Sequence, residues 1–453
     1  MKNRYFGSSG IRGISNTEIT PNLAAKVGSS LATEVKEGFI TVGHDSRLTA
    51  DTIEKALVSG IMSCGVNVRL LGLTPTPTLA FMTNELGAKA GVEITASHNP
   101  PEYNGLKIFD NQGIAYTEQK EREIEQLLVH ERFKPVSWNH TGSFEQMDVT
   151  DRYVEAISKG LDLKTKWNIA LDLFNGATSA VIPKVCRRLN LKAALLNCQA
   201  DGRFPSGQPE PSSETLHRLG EFVGEVGADL GFAYDGDGDR MLPVDQRGNN
   251  PQPDQVLAAY AAYVIRKKKG GVVVTHIEAS RCMEDLVLKE GGRVVRTKVG
   301  DVSIVETMKR DGAVFGGEPI GTWVHPQYHL CPDGILSSLL LLKALEEEGR
   351  DLKEFLGKSP SYHMLRKKIS CPEKKKNKVM KMVFKELPTQ FPRVLNALKL
   401  DGLRLELDNG WVLVRASGTE PLIRLTVEAD GSGNAQRIMD ISENYVKGLL
   451  EAN

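Results

Sequence analysis

The sequence predicts an α/β protein made of three successive strand-helix-strand blocks followed by a C-terminal α+β unit. Three observations carry this reading. The chain has 453 residues, too many for one core at roughly 100 to 200 residues per domain, so three or four domains are expected. Hydrophobic residues are 40% and charged residues 25%, the balance of a globular rather than a disordered chain. Short apolar runs alternate with amphipathic helical stretches along most of the length, the signature of parallel strands joined by right-handed helical crossovers.

In chain order, residues 38–43 read as a short buried strand, 51–64 as a helix with apolar side chains at helical spacing, and 66–71 as the next strand. Residues 91–95 form a further strand. The pattern recurs as strand 167–173, helix 178–189 and strand 193–197, then as strand 271–275, helix 281–290 and strand 293–298. Joints near 150 and 255 divide these blocks into domains 1–150, 151–254 and 255–366. The fourth, 367–453, begins with the polar stretch 367–378; its strands 403–407 and 411–415 flank Asp408-Asn409-Gly410, a strong hairpin turn signal. A strand at 422–428 and a helix at 434–450 complete it. Lysine runs at 267–269 and 374–378 read as solvated faces or linker.

With 57 basic and 57 acidic side chains the formal charge is zero, which argues against nucleic acid or an anionic membrane as partner. The first residues predict no secretory leader, and the most apolar runs, 256–265 and 335–342, fall short of the ~20 residues a bilayer requires. Six cysteines without a Cys-x-x-Cys pair predict reduced thiols and a cytoplasmic protein.

Chemistry concentrates in a few segments. In Asp235-Gly236-Asp237-Gly238-Asp239-Arg240, three carboxylates at alternate positions, separated by conformationally free glycines, can converge on one side of a loop. Such hard oxygen ligands suit Mg²⁺. An EF-hand is excluded, because its sixth position should be Gly and is Arg240, and its twelfth should be Glu and is Gln246. Thr95-Ala96-Ser97-His98-Asn99-Pro100, followed by Asn104-Gly105-x-Lys107, is forced into a loop by its Pro and Gly residues, leaving Ser97 exposed after a strand. A Ser97–His98 hydrolase dyad is disfavoured, since neighbours in an extended loop point apart and no Gly-x-Ser-x-Gly elbow occurs. A serine that accepts and releases phosphate needs a cation nearby, and Lys107 plus a metal at the three aspartates would supply it. Arg415-Ala416-Ser417-Gly418-Thr419-Glu420-Pro421, with Arg424 beyond, is a donor-rich loop suited to a phosphate dianion. There is no Walker A loop and no Gly-x-Gly-x-x-Gly after a strand. Two further loops, Gly7 to Gly13 with Arg12 and Gly316 to Trp323 with Glu318, read as ligand loops.

Taken in order, these segments resemble the α-D-phosphohexomutases, which comprise phosphoglucomutases, phosphomannomutases and phosphoglucosamine mutases. The resemblance spans nearly the whole chain and also takes in Asn175-Gly176-Ala177, Asp201-Gly202-x-Phe204-Pro205, Pro209-Glu210-Pro211 and Arg296-Thr297-Lys298-Val299-Gly300-Asp301. It implies three mixed-sheet α/β domains and a C-terminal domain around a central cleft. It also implies a hexose 6-phosphate to hexose 1-phosphate mutase in which Ser97 is phosphorylated, with one Mg²⁺ held by Asp235, Asp237 and Asp239 against Ser97. A sugar 1,6-bisphosphate would serve as intermediate and activator. Arg415, Ser417, Gly418, Thr419 and Arg424 would grip the idle phosphate, Arg12 and Lys107 would assist at the reacting oxygen, and His98, Arg240, Lys298 and Glu318 would contact substrate. A homo-oligomer is left open.

The chain departs from that pattern in places. Where the family's sugar loop often runs Glu-x-Ser-Gly-His, this one has Glu318-Pro319-Ile320-Gly321-Thr322, which removes a hydroxyl and an imidazole; His325 or His329 could compensate. His44 stands where Arg is usual. Thr297 to Asp301 looks most like the phosphoglucosamine mutases, and the surroundings of Trp323 and of Cys331 to Gly334 look like their archaeal members. Glucosamine phosphate is therefore the expected substrate, with phosphomannomutase or phosphoglucomutase as alternatives. A phosphoserine-dependent sugar phosphate hydrolase and a noncatalytic sugar-phosphate binding protein are the readings from other classes.

Overall fold

The computed structural model describes residues 5–7, 10–357, 359–418 and 420–451. Four sheets succeed one another along the chain. The first holds β1 (Phe6–Gly7), β2 (Gly10–Ile14), β3 (Phe39–His44), β4 (Asn67–Leu73), β5 (Ala90–Ile94), β6 (Tyr103–Asp110) and β7 (Phe144–Gln146), in the order β1-β2-β6-β5-β3-β4-β7. Its centre is parallel, while β6 runs antiparallel to both β5 and β2. The second sheet, β8 (Asn168–Asp172), β9 (Lys192–Leu196), β10 (Leu230–Tyr234) and β11 (Met241–Asp245), has the order β11-β10-β8-β9. The third, β12 (Gly271–His276), β13 (Gly292–Thr297), β14 (Phe315–Gly317) and β15 (Trp323–Val324), has the order β13-β12-β14-β15. In both, parallel strands end in an antiparallel hairpin, β10–β11 or β14–β15. The loops that follow β5 and β10 meet at Ser97 and Asp235, and the end of β12 meets the loop after β14 at His276 and Glu318.

The fourth sheet is wholly antiparallel: β16 (His363–Ser370), β17 (Val394–Leu398), β18 (Leu403–Leu407), β19 (Gly410–Ala416) and β20 (Leu422–Ala429), in the order β16-β20-β19-β18-β17. Its hydrophobic core is its own, built on Ile423, Leu425, Val412, Val383 and Met439. One larger core instead runs from Leu79 and Phe109 through Tyr153 and Phe232 to Tyr260 and Leu341. The helix Gly334–Glu348 ties these together. Asp333 caps its N-terminus by accepting from Leu336 N, and Gly349 ends it in the left-handed conformation. On its buried face Ser338 meets Tyr234 of β10, and the carboxylate of Asp333 takes the Tyr153 hydroxyl at 2.7 Å.

Two local expectations need correction. The lysine run 374–378 is not linker: it lies in the first turns of the helix Glu373–Glu386, with Lys374 and Lys378 on its exposed face. Lys376 there is buried, and its ammonium donates to the Ser417 carbonyl at 2.7 Å and pairs with Glu373. The expected helix 178–189 is a 3₁₀ turn, Ala177–Ala180, followed by an α-helix, Ile182–Arg188, because Pro183 at the first helical turn has no N–H to continue the earlier ladder.

Candidate active site

The site is built where β5 ends. Ser97 lies three residues beyond that strand with φ +52, a left-handed conformation that costs a non-glycine residue about 1–2 kcal/mol. Two residues hold it there, and both depend on Asp45. The Thr95 hydroxyl donates to Asp45 Oδ2 at 2.7 Å and accepts the Ser97 N–H at 2.8 Å. Arg47 Nε donates to the same Oδ2 at 3.0 Å, while its two terminal nitrogens donate to the carbonyls of Ser97, Asn99, Pro100 and Tyr103 at 2.6–2.9 Å. The N–H and C=O of Ser97 are thus tied to one buried ion pair, Asp45–Arg47.

Contrary to the expected exposure, Ser97 is 1% accessible. The acidic loop after β10 covers it, and the contact is close: a Cβ on Gly236 would lie 2.6 Å from the Ser97 carbonyl oxygen. The Ser97 hydroxyl donates to Asp235 Oδ2 at 2.7 Å and also approaches His98 Nδ1 at 3.3 Å, so the two neighbours do not point fully apart. Burial, then Arg240 and Arg12, push the His98 imidazole down to about 3. It stays neutral at physiological pH and cannot act as the imidazolium acid of a dyad.

Asp235, Asp237 and Asp239 are all buried, and each offers an oxygen within 4.8 Å of the others. Asp237 Oδ1 and Asp239 Oδ1 have no hydrogen-bond partner among the described residues. Burial and mutual repulsion raise the Asp235 carboxyl well above the usual range and raise Asp237 as well. Asp239 goes the other way: burial would raise it, but Lys107 and Arg240 hold it below. Three converging carboxylates with two orphaned oxygens fit a hard divalent cation such as Mg²⁺. Thr76 fixes the cage from the first domain, donating its hydroxyl to Asp237 Oδ2 at 2.6 Å and its N–H to the Asp237 carbonyl.

Cations line one side. Lys107 on β6 lies 3.0 Å from Asp239 and 3.3 Å from Asp301; although burial opposes it, those carboxylates keep its ammonium firmly charged. Arg240 donates its backbone N–H to Asp235 Oδ1 and its Nη1 to Glu210. Arg12 on β2 acts on Asp237, Asp239 and His98 through its charge, and its buried Nε has no partner among the described residues. Ser97, His98, Lys107, Asp235, Asp237, Asp239, Arg240 and Arg12 therefore form one cluster.

Glu318, on the hairpin between β14 and β15, is buried; its Oε1 accepts Gly300 N at 2.9 Å and its Oε2 accepts the Thr322 hydroxyl at 3.1 Å. It bears electrostatically on Arg240, which joins this hairpin to the Ser97 cluster. Lys298 lies in the turn after β13, and its ammonium makes no hydrogen bond or ion pair among the described residues. His325 and His329 do not replace the missing imidazole. His325 bonds Ser337 and packs on Phe315 and Tyr260, while His329 bonds Asp333.

In the fourth domain Arg415 and Arg424 are cross-strand partners on β19 and β20, a like-charge juxtaposition that is unfavourable without an anion. Asp401 and Glu420 neutralise one terminal nitrogen of each, and both Nε atoms stay buried without a hydrogen bond among the described residues. The Ser417 hydroxyl accepts Glu420 N, and Gly418 has open space around it. Thr419 lies outside the described residues, as do Ser8 and Ser9. Arg415 also reaches Glu278, 3.8 Å away in the third domain. Nothing in the sequence alone marks a role for Thr76, Glu210, Asp301, Lys376 or the Asp45–Arg47–Thr95 clamp, apart from Asp45-x-Arg47 directly after a strand.

Comparison with known proteins agrees with this architecture. Profiles of the phosphoglucomutase/phosphomannomutase family match alpha/beta/alpha domain I over residues 3–135, domain II over 151–248, domain III over 252–362 and the C-terminal domain over 367–442. Proteins named probable phosphoglucosamine mutase from Pyrococcus abyssi and Methanothermobacter thermautotrophicus are each 41% identical to this chain, covering 99% of both sequences. Among solved structures, a phosphoglucomutase/phosphomannomutase family protein from Burkholderia thailandensis superimposes with a TM-score of 0.90 at 26% identity, covering 99% of this chain and 98% of that one. A putative phosphomannomutase from Thermus thermophilus gives 0.82 at 27%, covering 99% and 100%. No helix among the described residues is long and apolar enough to cross a membrane.

Proposed function

Because the chain belongs to the phosphoglucomutase/phosphomannomutase family and is accordingly a phosphosugar mutase of the isomerase class, we propose that it interconverts glucosamine 6-phosphate and glucosamine 1-phosphate through a phosphorylated Ser97. The observation that carries the Ser97 assignment is its hydroxyl 2.7 Å from Asp235, inside a cage of three carboxylates and beside Lys107. The glucosamine assignment is supported by the relatives named probable phosphoglucosamine mutase, which align over 99% of their length.

In this reading phosphoserine 97 gives its phosphoryl group to a sugar monophosphate, and the resulting 1,6-bisphosphate turns round and returns its other phosphoryl group to Ser97. Added sugar 1,6-bisphosphate primes the enzyme by phosphorylating Ser97. Catalysis of such a transfer is mainly positioning and charge stabilisation. Asp235, Asp237 and Asp239 would hold Mg²⁺, which supplies positive charge to phosphate oxygens at Ser97. Lys107 and Arg12 hold charge at the reacting oxygen, and neutral His98 hydrogen-bonds there. Arg240, Lys298 and Glu318 orient the sugar phosphate, while Arg415, Ser417, Gly418, Thr419 and Arg424 grip the idle phosphate. Six unpaired cysteines support a reducing, cytoplasmic setting.

The test is turnover of glucosamine, glucose and mannose 6-phosphates with a hexose 1,6-bisphosphate present, alongside intact mass. A dedicated glucosamine enzyme converts the first far faster, and part of the protein carries one phosphate that maps to Ser97. Equal rates on all three would remove the glucosamine assignment, and full activity in Ser97→Ala would remove the nucleophile.

A further inference from the structure

The replacement of an imidazole by Thr322 leaves the sugar hairpin without a ring nitrogen of its own, yet a histidine from elsewhere stands beside Glu318. His276 closes β12 and is 6% exposed. Its Nδ1 accepts the backbone N–H of Glu278 at 3.0 Å, which fixes the neutral tautomer with the proton on Nε2. That Nε2 lies 3.9 Å from Glu318 Oε1, too far for a direct hydrogen bond, and donates to no group among the described residues. Burial together with Arg296 and Arg415 pulls the imidazole down to about 4, against the opposing charge of Glu278, so the ring stays neutral and Nε2 remains a donor at physiological pH.

A donor and an acceptor separated by such a gap suit one hydroxyl, which can accept from the first and donate to the second. The acceptor has capacity left, since Glu318 Oε1 receives only Gly300 N among the described residues and a carboxylate oxygen takes about two donors. The position is also right. Glu278, two residues on, lies 3.8 Å from Arg415 of the phosphate-gripping loop, so His276 sits between the sugar hairpin and that loop.

We propose that His276 is a specificity-determining residue whose Nε2–H and Glu318 Oε1 together hold one ring hydroxyl of the substrate, supplying from β12 the imidazole that Thr322 removes from the hairpin. This rests on the phosphosugar reading of the cleft. His276→Asn keeps an acceptor for Glu278 N and loses the distal donor; His276→Gln places an amide near the Nε2 position. With glucosamine 6-phosphate, His276→Asn should lose about tenfold in kcat/KM, the size of one neutral hydrogen bond to substrate, and His276→Gln should stay within about threefold of wild type. The deciding step repeats this with the 3-deoxy and 4-deoxy congeners. The Asn penalty should vanish on the congener that lacks the held hydroxyl, whereas an equal penalty on every sugar, or none on any, overturns the proposal.

Wild-type turnover of glucosamine 6-phosphate is measured first. Its absence strikes the glucosamine assignment alone, and the cycle is then run on whichever hexose phosphate the wild type converts. Should His276→Asn fail to fold, ¹⁵N-histidine labelling of the wild type decides. The His276 Nε2 resonance should move with the sugar phosphate and stay still with inorganic phosphate; no movement with the sugar phosphate, or the same movement with both, refutes the contact.

Discussion

Replacing Thr95 by valine keeps shape and volume and deletes one oxygen, the one through which Asp45 holds the Ser97 N–H. Two hydrogen bonds go. The neutral one contributes about 1 kcal/mol and the one to a carboxylate about 1.5–3 kcal/mol. Against them stands the left-handed backbone of Ser97, φ +52, which favours relaxation by about 1–2 kcal/mol. Arg47 still holds the Ser97 carbonyl at 2.9 Å, so the loop should loosen rather than unfold, and the reactive geometry should lose about 2 kcal/mol. At about 1.4 kcal/mol per tenfold in rate, kcat should fall roughly 30-fold. The loss should leave KM within about threefold, because Thr95 holds the loop rather than the sugar. Thr95→Ser keeps the hydroxyl and should recover most of the rate. The assay is steady-state turnover together with single-turnover discharge of ³²P-labelled phosphoserine onto sugar phosphate. A Thr95→Val enzyme with normal kcat, one damaged only in KM, or a Thr95→Ser enzyme equally slow would each refute the clamp.

Three further outcomes are expected. Glu93 on β5 is fully buried with neither carboxyl oxygen hydrogen-bonded among the described residues, and burial, then Asp45 and Asp237, raise its carboxyl well above the usual range. The folded state therefore holds a proton that the unfolded chain releases near 4.5, and this group lowers stability as pH rises from there through its folded value. Glu93→Met should raise the melting temperature more at pH 8 than at pH 5, with a gain of about 1–3 kcal/mol at the higher pH; an equal shift at both, or a loss at pH 8, contradicts this. Gly236→Ala drives a Cβ to within 2.6 Å of the Ser97 carbonyl, and the displaced loop should lower kcat about 100-fold with the fold retained by circular dichroism; unchanged kcat would show that the two loops are not packed as described. Asp237→Asn should weaken Mg²⁺ by at least tenfold in a titration of activity against free metal, and an unaltered metal titration would remove Asp237 from the cage.

Much of this was legible in the sequence because the relevant chemistry is local. Three aspartates alternating with glycine have few places to go except one side of a loop, and the structure brings their oxygens together. The alternation of strands and helices likewise appears as sheets with parallel centres. What escaped is non-local. Nothing near residue 97 announces that Arg47, fifty residues earlier, ties four carbonyls of its loop, or that Thr76 caps an aspartate 161 residues away. A Pro- and Gly-rich loop such as that of Ser97 is normally exposed; the burial of Ser97 comes from the loop of a second domain laid over it. Within a lysine run Lys376 reads as solvated, because its acceptor, the Ser417 carbonyl, lies 41 residues further along the chain. His276 carries no motif at all and is picked out only by its distance to Glu318.

The division of labour among the loops has an evolutionary consequence. Ser97, Lys107 and the three aspartates come from the first two domains, whereas Glu318 and Thr322 belong to one short hairpin of the third. In the proposed function, substitutions at hairpin positions other than Glu318, whose charge bears on Arg240, change the sugar contacts without removing a phosphoryl-transfer group, so sugar preference can drift while that chemistry is kept. Ile320, exposed at the hairpin's tip, is where such drift meets the least resistance from packing.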